Sequence, residues 1–202
     1  ESPSVRGMIL AGSWHTIGEM GLRGVITEEF GFRPDKVEER ARLYVLAKIA
    51  QESIVRFYSE MSSKIYGVIR MGTVLGDGMP EKTVANIFID NGLKGKPLTP
   101  YKHSMYRSML YVDINDICKA FESFATGIFE GKIKKESNSL AYMINVFYPK
   151  PTTVIEMAEI VKDSIIKNTN KRIKPKIETV DMGHPSLFTK RDKTLFKVDV
   201  NK

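Results

Sequence analysis

The chain has 202 residues, enough to bury one good core with a smaller appended lobe. Hydrophobic content of 42% and charged content of 27% suit a globular domain, no apolar run approaches membrane-spanning length, and Glu1-Ser2-Pro3-Ser4 is not a signal peptide. The net charge of +7 is spread along the chain and clusters only at Lys132-Ile133-Lys134-Lys135 and Lys171-Arg172-Ile173-Lys174-Pro175-Lys176. Neither cluster has interleaved aromatics or a helix-turn-helix setting, so both read as solvated turns and no nucleic acid partner is expected. The single cysteine, Cys118, excludes an internal disulfide, suits a reducing cytosol and reads as a buried small hydrophobe in an amphipathic stretch. No membrane association and no metal site are expected, because His103 and His184 have no partners at ligand spacing and read as surface residues.

In chain order, residues 5–12 read as a buried parallel strand: Gly7-Met8-Ile9-Leu10-Ala11 is a short apolar run bounded by glycines. A long loop follows over 13–33, with Glu28 and Glu29 near its end. Residues 35–62 read as one helix, with a Pro34-Asp35 start and an apolar stripe at Val37, Ala41, Val45 and Ile49, continued by Ile54, Val55 and Phe57. Ile65 to Arg70 is the next strand, and a helix spans about 81–93. A turn-rich crossing at 92–98 precedes a short strand, Leu110-Tyr111-Val112. Asp113 then opens a helix to about 129, and Tyr142 to Phe147 form another strand. Thr152 or Thr153 starts a helix to about 168, with Glu156 placed as in a capping box. Ile173 to Val180 is expected to be a strand. Alternating strands and helices predict a parallel α/β sheet.

Tyr44 and Lys48 stand four apart, so on the long helix they share a face. A lysine ammonium beside a phenol favours the phenolate, which can take or give a proton near neutral pH. The same spacing also fits a plain surface pair. Ser13, at the carboxyl end of the first strand, sits where open α/β sheets bind their ligands.

A strand-end Ser13, the Tyr44-x-x-x-Lys48-x-x-x-Glu52 helix, and a strand running into Arg70-Met71-Gly72-Thr73 together resemble the extended short-chain dehydrogenase/reductase family, the NAD-dependent epimerase/dehydratases. Arg107-Ser108-Met109-Leu110-Tyr111-Val112-Asp113 resembles that family's Arg-to-Val-Asp stretch. Ile144-Asn145-Val146 followed by Thr153-Val154-Ile155-Glu156-Met157-Ala158 resembles its late strand and helix. The resemblance implies a Rossmann-like parallel sheet, of which this chain carries the C-terminal part, with a smaller mixed α/β substrate-binding lobe. Residues 1–75 would hold the remainder of the NAD(P)-binding domain. Residues 76–202 would be mainly the substrate lobe, with some elements returning to the main sheet. No Gly-x-Gly-x-x-Gly turn occurs, and Val198-Asp199-Val200-Asn201-Lys202 resembles a point short of the family's usual end, so the chain reads as a fragment lacking the amino-terminal βαβ units.

By resemblance, Ser13 bonds the substrate oxygen, Tyr44 is the acid/base and Lys48 holds the nicotinamide ribose. The cofactor is NAD or NADP, touched by Ala11, Gly12, Tyr44, Lys48 and Met71. The substrate contacts are Ser13, His15, Thr73 and Arg107, the arginine gripping a diphosphate. His15 is the most informative departure. Dehydratases of the family carry Asp-Glu where Trp14 and His15 stand here, so water elimination loses its support. The Ser-x-His spacing resembles instead the uronate dehydrogenase branch, and a histidine can move protons near neutral pH. Thr73 stands where sugar-nucleotide epimerases have Asn, while Lys94-Gly95-Lys96-Pro97-Leu98 and Arg107 resemble the nucleotide-sugar branch. The expected activity is therefore that of an NAD(P)-dependent nucleotide-sugar epimerase. The alternatives are a uronate or aldose dehydrogenase and a non-catalytic fragment of such an enzyme. A cytoplasmic homodimer through the Tyr44/Lys48 helix is implied by the resemblance.

Overall fold

Gly7–Ser13 forms β1, and its apolar run pairs in parallel with a second Gly-containing run, Ile65–Met71. In a computed structural model that describes residues 2–135 and 141–199, the elements follow in order. After β1 come β2 (Gly24–Ile26), α1 (Glu39–Met61), β3 (Ile65–Met71), β4 (Thr73–Leu75) and α2 (Val84–Leu93). Then come β5 (Ser108–Met109), β6 (Tyr111–Asp113), α3 (Ile114–Phe129) and β7 (Tyr142–Val146). The chain closes with β8 (Thr152–Thr153), α4 (Val154–Asn168) and β9 (Phe196–Val198).

The main sheet has the order β1-β3-β7 and is parallel throughout, as the alternation of elements predicts. All three carboxyl ends therefore lie together: Ser13 pairs with Met71, and Met71 with Val146. Helices cover both faces. A Cβ on Gly67 would strike the Phe124 ring of α3, whereas the next residue, Val68, clusters with Val55 of α1. Neighbouring residues of a strand point to opposite faces, so α1 and α3 sandwich the sheet. A second core lies beyond it, where Phe88 of α2 meets Tyr111 of β6 and Met157, Ala158 and Val161 of α4. A third, built on Trp14, Ile17, Ile26, Leu110 and Phe196, sits beneath the carboxyl end of β1.

Sequence capping rules hold for the later helices. Asp113 caps α3 by accepting from the Asn115 amide at 2.8 Å. Thr153 and Glu156 form the expected capping box on α4. The start of α1 differs: it lies at Glu39, not Asp35. The Lys36 carbonyl is captured by the Glu19 and Met20 amides at 2.8 and 2.9 Å, so it cannot serve a helical amide, and the chain is pinned as a turn there.

Several other expectations are corrected. The loop over 13–33 contains a 3-10 turn at Trp14–Ile17 and strand β2, which pairs with β9 at the far end of the chain. Residues 173–180 make only isolated bridges, Leu98 with Ile177 and Tyr101 with Val180, and form no strand. Cys118 is exposed, not buried. Ile54 and Phe57 of α1 are each 56% exposed, off the buried stripe that Val45 and Val55 form. Glu1, Val200, Asn201 and Lys202 lie outside the described residues. Among the described residues no helix is long and apolar enough to cross a membrane, and no cluster could hold a metal ion.

Candidate active site

The carboxyl end of β1 turns sharply into the 3-10 turn, and Ser13 caps that turn by accepting from the His15 amide at 3.3 Å. Gly12 is required just before it, because a Cβ there would approach Val68 Cγ1 to 2.8 Å. Gly18 ends the turn at φ 70°, with its amide on the His15 carbonyl. These constraints set Ser13 and His15 side by side, with Ser13 Oγ 3.3 Å from His15 Nδ1.

Helix α1 delivers the other partners. The Tyr44 ring stands edge-on to the His15 ring at 6.3 Å between centroids, and Lys48 Nζ lies 5.9 Å from the Tyr44 ring centroid. Lys48 also donates to the Ala11 carbonyl at 3.0 Å, which ties α1 to the end of β1. Tyr44 is half exposed. Thus Ala11, Gly12, Ser13, His15, Tyr44 and Lys48 converge at one sheet end, with Met71 paired directly beside Ser13. Thr73 joins them through Trp14, whose indole Nε1 donates to Thr73 Oγ1 at 3.4 Å.

Arg107 arrives from a separate segment and is already engaged. Its Nε donates to Glu19 Oε2 at 2.8 Å, its Nη2 lies 2.6 Å from the same oxygen, and its Nη1 lies 3.6 Å from Glu38 Oε1. Arg107 borders a cleft of about 810 Å³ that Glu38, Phe88, Tyr101, His103 and His184 also line, and whose lining stops short of Ser13 and Tyr44. His103 stacks on Tyr101 and meets His184 edge-on; His184 is exposed and His103 partly so, and both line one wall of the cleft.

Burial, and then the charge of Arg107, lower the His15 pKa to about 3, so its imidazole is neutral at neutral pH. Burial raises the Glu19 carboxyl above its ordinary range, and the charge and hydrogen bond of Arg107 oppose that rise. Sequence reading missed Glu19 and Glu38 altogether. The only signal was the spacing of His15 and Glu19, four apart on a turn that no pattern had announced.

Glu52, seen in the sequence only as the end of a pattern, has a physical task. It is fully buried and takes Arg70 Nη2 on Oε1 at 2.7 Å and Arg70 Nε on Oε2 at 3.1 Å. Arg70 Nη1 then donates to the carbonyls of Glu28 and Phe30, each at 3.2 Å, which fastens the loop after β2 across the sheet end.

No family model matches the chain, and no curated protein matches it by sequence. Solved structures do match. UDP-glucose 4-epimerase of Thermus thermophilus, complexed with NAD, superposes with TM-score 0.62 at 20% identity over 94% of this chain and 57% of its own. The dTDP-glucose 4,6-dehydratase of Bacillus anthracis, also with NAD, gives 0.63 at 19% over 93% and 54%. UDP-glucuronic acid 4-epimerase of Bacillus cereus, with UDP-glucuronic acid and NAD, gives 0.64 at 17% over 94% and 55%. The chain therefore spans little more than half the length of these enzymes. Across that span, it has the fold of the extended short-chain dehydrogenase/reductase enzymes.

Proposed function

We propose that this chain is the catalytic and substrate-binding part of an NAD-dependent nucleotide-sugar epimerase acting by reversible hydride transfer. The observation that carries this reading is the convergence of Ser13, His15, Tyr44 and Lys48 at the carboxyl ends of β1 and β3, beside the Arg107 cleft. Residues 1–75 act as the remainder of the cofactor domain and 76–202 mainly as the substrate lobe, with α3 and β7 returning to the main sheet.

The residues fit the nicotinamide end of a dinucleotide. Tyr44 is half exposed, and Lys48 has two ammonium hydrogens beyond the one on the Ala11 carbonyl, a donor set suited to ribose hydroxyls. The bound cofactor supplies a hydride acceptor. Ser13 fixes the reacting carbinol oxygen, and Tyr44 takes its proton as hydride leaves the carbon and returns it in the reverse step. Lys48 holds Tyr44 and the ribose in register. Arg107 faces the substrate's anionic end with Nη1, where Glu38 is the looser of its two carboxylate partners. Ala11, Gly12 and Met71 form the floor for the nicotinamide, and Thr73 meets the sugar.

A second reading, a dehydrogenase of a sugar or sugar acid, is favoured by His15 beside Ser13 and by the engagement of Arg107 with two carboxylates. Product analysis separates them. The protein is incubated with NAD and, in turn, UDP-glucose, UDP-glucuronic acid, glucose and glucuronic acid. A redox-neutral isomer supports the epimerase, stoichiometric NADH supports the dehydrogenase, and neither product from any sugar tested defeats both.

Two copies pair through α1, whose outer face exposes Leu43, Leu46, Ile54, Phe57, Tyr58 and Met61, with Leu43 at 80% and Met61 at 71%. Light scattering is expected to report a dimer that Leu43→Glu with Phe57→Glu converts to a monomer; an unchanged mass would reject this interface. With one cysteine, we place the protein in the cytoplasm.

A further inference from the structure

Glu19 is a carboxylate that the reading above leaves without a task. Its side chain is closed to solvent, and two N–H groups of Arg107 converge on Oε2, Nη2 at 2.6 Å and Nε at 2.8 Å. Oε1 is buried with no hydrogen-bond partner. Backbone bonds pin both ends of the contact. The Glu19 amide donates to the Lys36 carbonyl at 2.8 Å. The Arg107 amide donates to the Ser104 carbonyl at 2.9 Å, and the next two residues form β5.

The shape of a guanidinium decides what this grip leaves free. The group is planar, with its N–H bonds in a rigid fork. Nε and Nη2 make its side edge, and Glu19 takes that edge. The end edge, Nη1 with the second hydrogen of Nη2, presents two parallel N–H bonds that match two oxygens of a phosphate. Glu38 Oε1 stands 3.6 Å from Nη1, beyond hydrogen-bond distance, and Glu38 lines the cleft together with Arg107. Glu38 also pairs with Arg40 at 2.5 Å, so it can leave Arg107 without becoming an unpaired charge. Glu19 is closed to solvent, and leaving Arg107 would strand a buried charge, which is costly.

We propose that Glu19 is the positioning residue of the anion contact: it holds Arg107 by the side edge, with and without ligand, so that the end edge meets the phosphates of a nucleotide sugar and Glu38 alone gives way. This rests on the reading of Arg107 as the contact for the substrate's anionic end. Glu19 follows directly on the turn that Ser13 caps, so its grip also fixes the guanidinium relative to the sugar end of the site.

Two substitutions that remove the same charge but differ in reach provide the test. Glu19→Gln keeps an acceptor oxygen at the same length of side chain, and Glu19→Ala keeps none. Calorimetry on the full chain reads their affinities for UDP-glucose, with folding checked by circular dichroism. Glu19→Ala is expected to bind about tenfold or more weakly than Glu19→Gln, the order of one hydrogen bond to a charged group. Equal affinities would mean that the charge alone matters and would overturn the proposal. Arg107→Gln separates this from failure of the reading beneath it. Undiminished binding by Arg107→Gln, or no binding by wild type, removes Arg107 as the anion contact and the proposal with it. Weakened binding there, with equal affinities in the two Glu19 variants, rejects Glu19 alone. Should Glu19→Ala fail to fold, the wild-type protein decides by ¹⁵N–¹H correlation. The Arg107 Nε–H signal, identified by its loss in Arg107→Lys, is expected to be exchange-protected and to stay so at saturating UDP-glucose. Loss of that protection on adding UDP-glucose would show Glu19 released and refute the proposal.

Discussion

Two buried glutamates in this molecule each hold an arginine, and they are built differently. Glu52 and Arg70 form a closed pair, in which both carboxylate oxygens are bonded and the remaining Arg70 donor is spent on loop carbonyls; Arg56 adds a second cation to Glu52 at 2.7 Å, its own Nε buried without a partner. Glu19 and Arg107 form an open pair: one carboxylate oxygen is idle, and one guanidinium nitrogen reaches only loosely to Glu38 at the edge of a cleft. A buried network whose polar atoms are all paired rigidifies the structure, whereas an unpaired buried atom costs free energy. The closed pair fastens the loop over the sheet end, and the open pair lies between His15 and the wall of the Arg107 cleft.

The sharpest way to break the comparison is to cut each pair. Glu52→Ala leaves Arg70 as a buried, unpaired cation, and a loss of about 3–5 kcal/mol in denaturant-derived stability is expected. Glu19→Ala is expected to lose less, since Arg107 is near the cleft and retains Glu38. Equal losses would erase the distinction.

A pH series sharpens it further. Below about 6.5 the unfolded chain binds a proton that buried His15 refuses until about 3, so His15 makes the fold lose stability as pH falls through that window. Glu19 has the opposite sign: its raised pKa lets the folded carboxyl bind a proton first, which adds stability as pH falls through its folded value. The His15 contribution is expected to reach roughly 3 kcal/mol between about pH 7 and pH 4. Replacement by Gln should flatten the slope there, and an unchanged slope would remove His15 from the account.

The smallest effect is expected at Glu38, whose contact with Arg107 is long and whose other oxygen pairs at 2.5 Å with the exposed side chain of Arg40. Glu38→Gln should change stability by about 1 kcal/mol or less while tightening binding of an anionic sugar nucleotide to Arg107, read by calorimetry. Weaker binding would mean that Arg107 does not exchange Glu38 for substrate.

Much of this was legible where the signal is local. The capping box at Thr153 and Glu156, the Asp113 cap, and the strand ends near Ser13 and, to within one residue, at Arg70 follow from residues a few positions apart. What stayed hidden depends on distant partners. The start of α1 is set by Glu19 and Met20 amides on the Lys36 carbonyl, which no helix-start rule contains. Strand β2 exists because Phe196–Val198 returns to pair with it, and three residues alone carry no periodicity. The Ile173–Val180 stretch looks strand-like but receives only two isolated bridges from its neighbours Leu98 and Tyr101. At the site, Ser13, His15, Tyr44 and Lys48 were visible, while the Glu19–Arg107 pair joins residues 88 positions apart and was not.

The most direct test of the central claim is the rate of sugar-nucleotide conversion by Tyr44→Phe beside wild type, with NAD present and the fold of both checked by circular dichroism. Loss of the phenol is expected to slow turnover by about 10²–10⁴-fold while sugar-nucleotide binding is kept, as removal of a general acid/base requires. Equal rates in the two proteins would contradict the assignment of Tyr44 and with it the hydride mechanism.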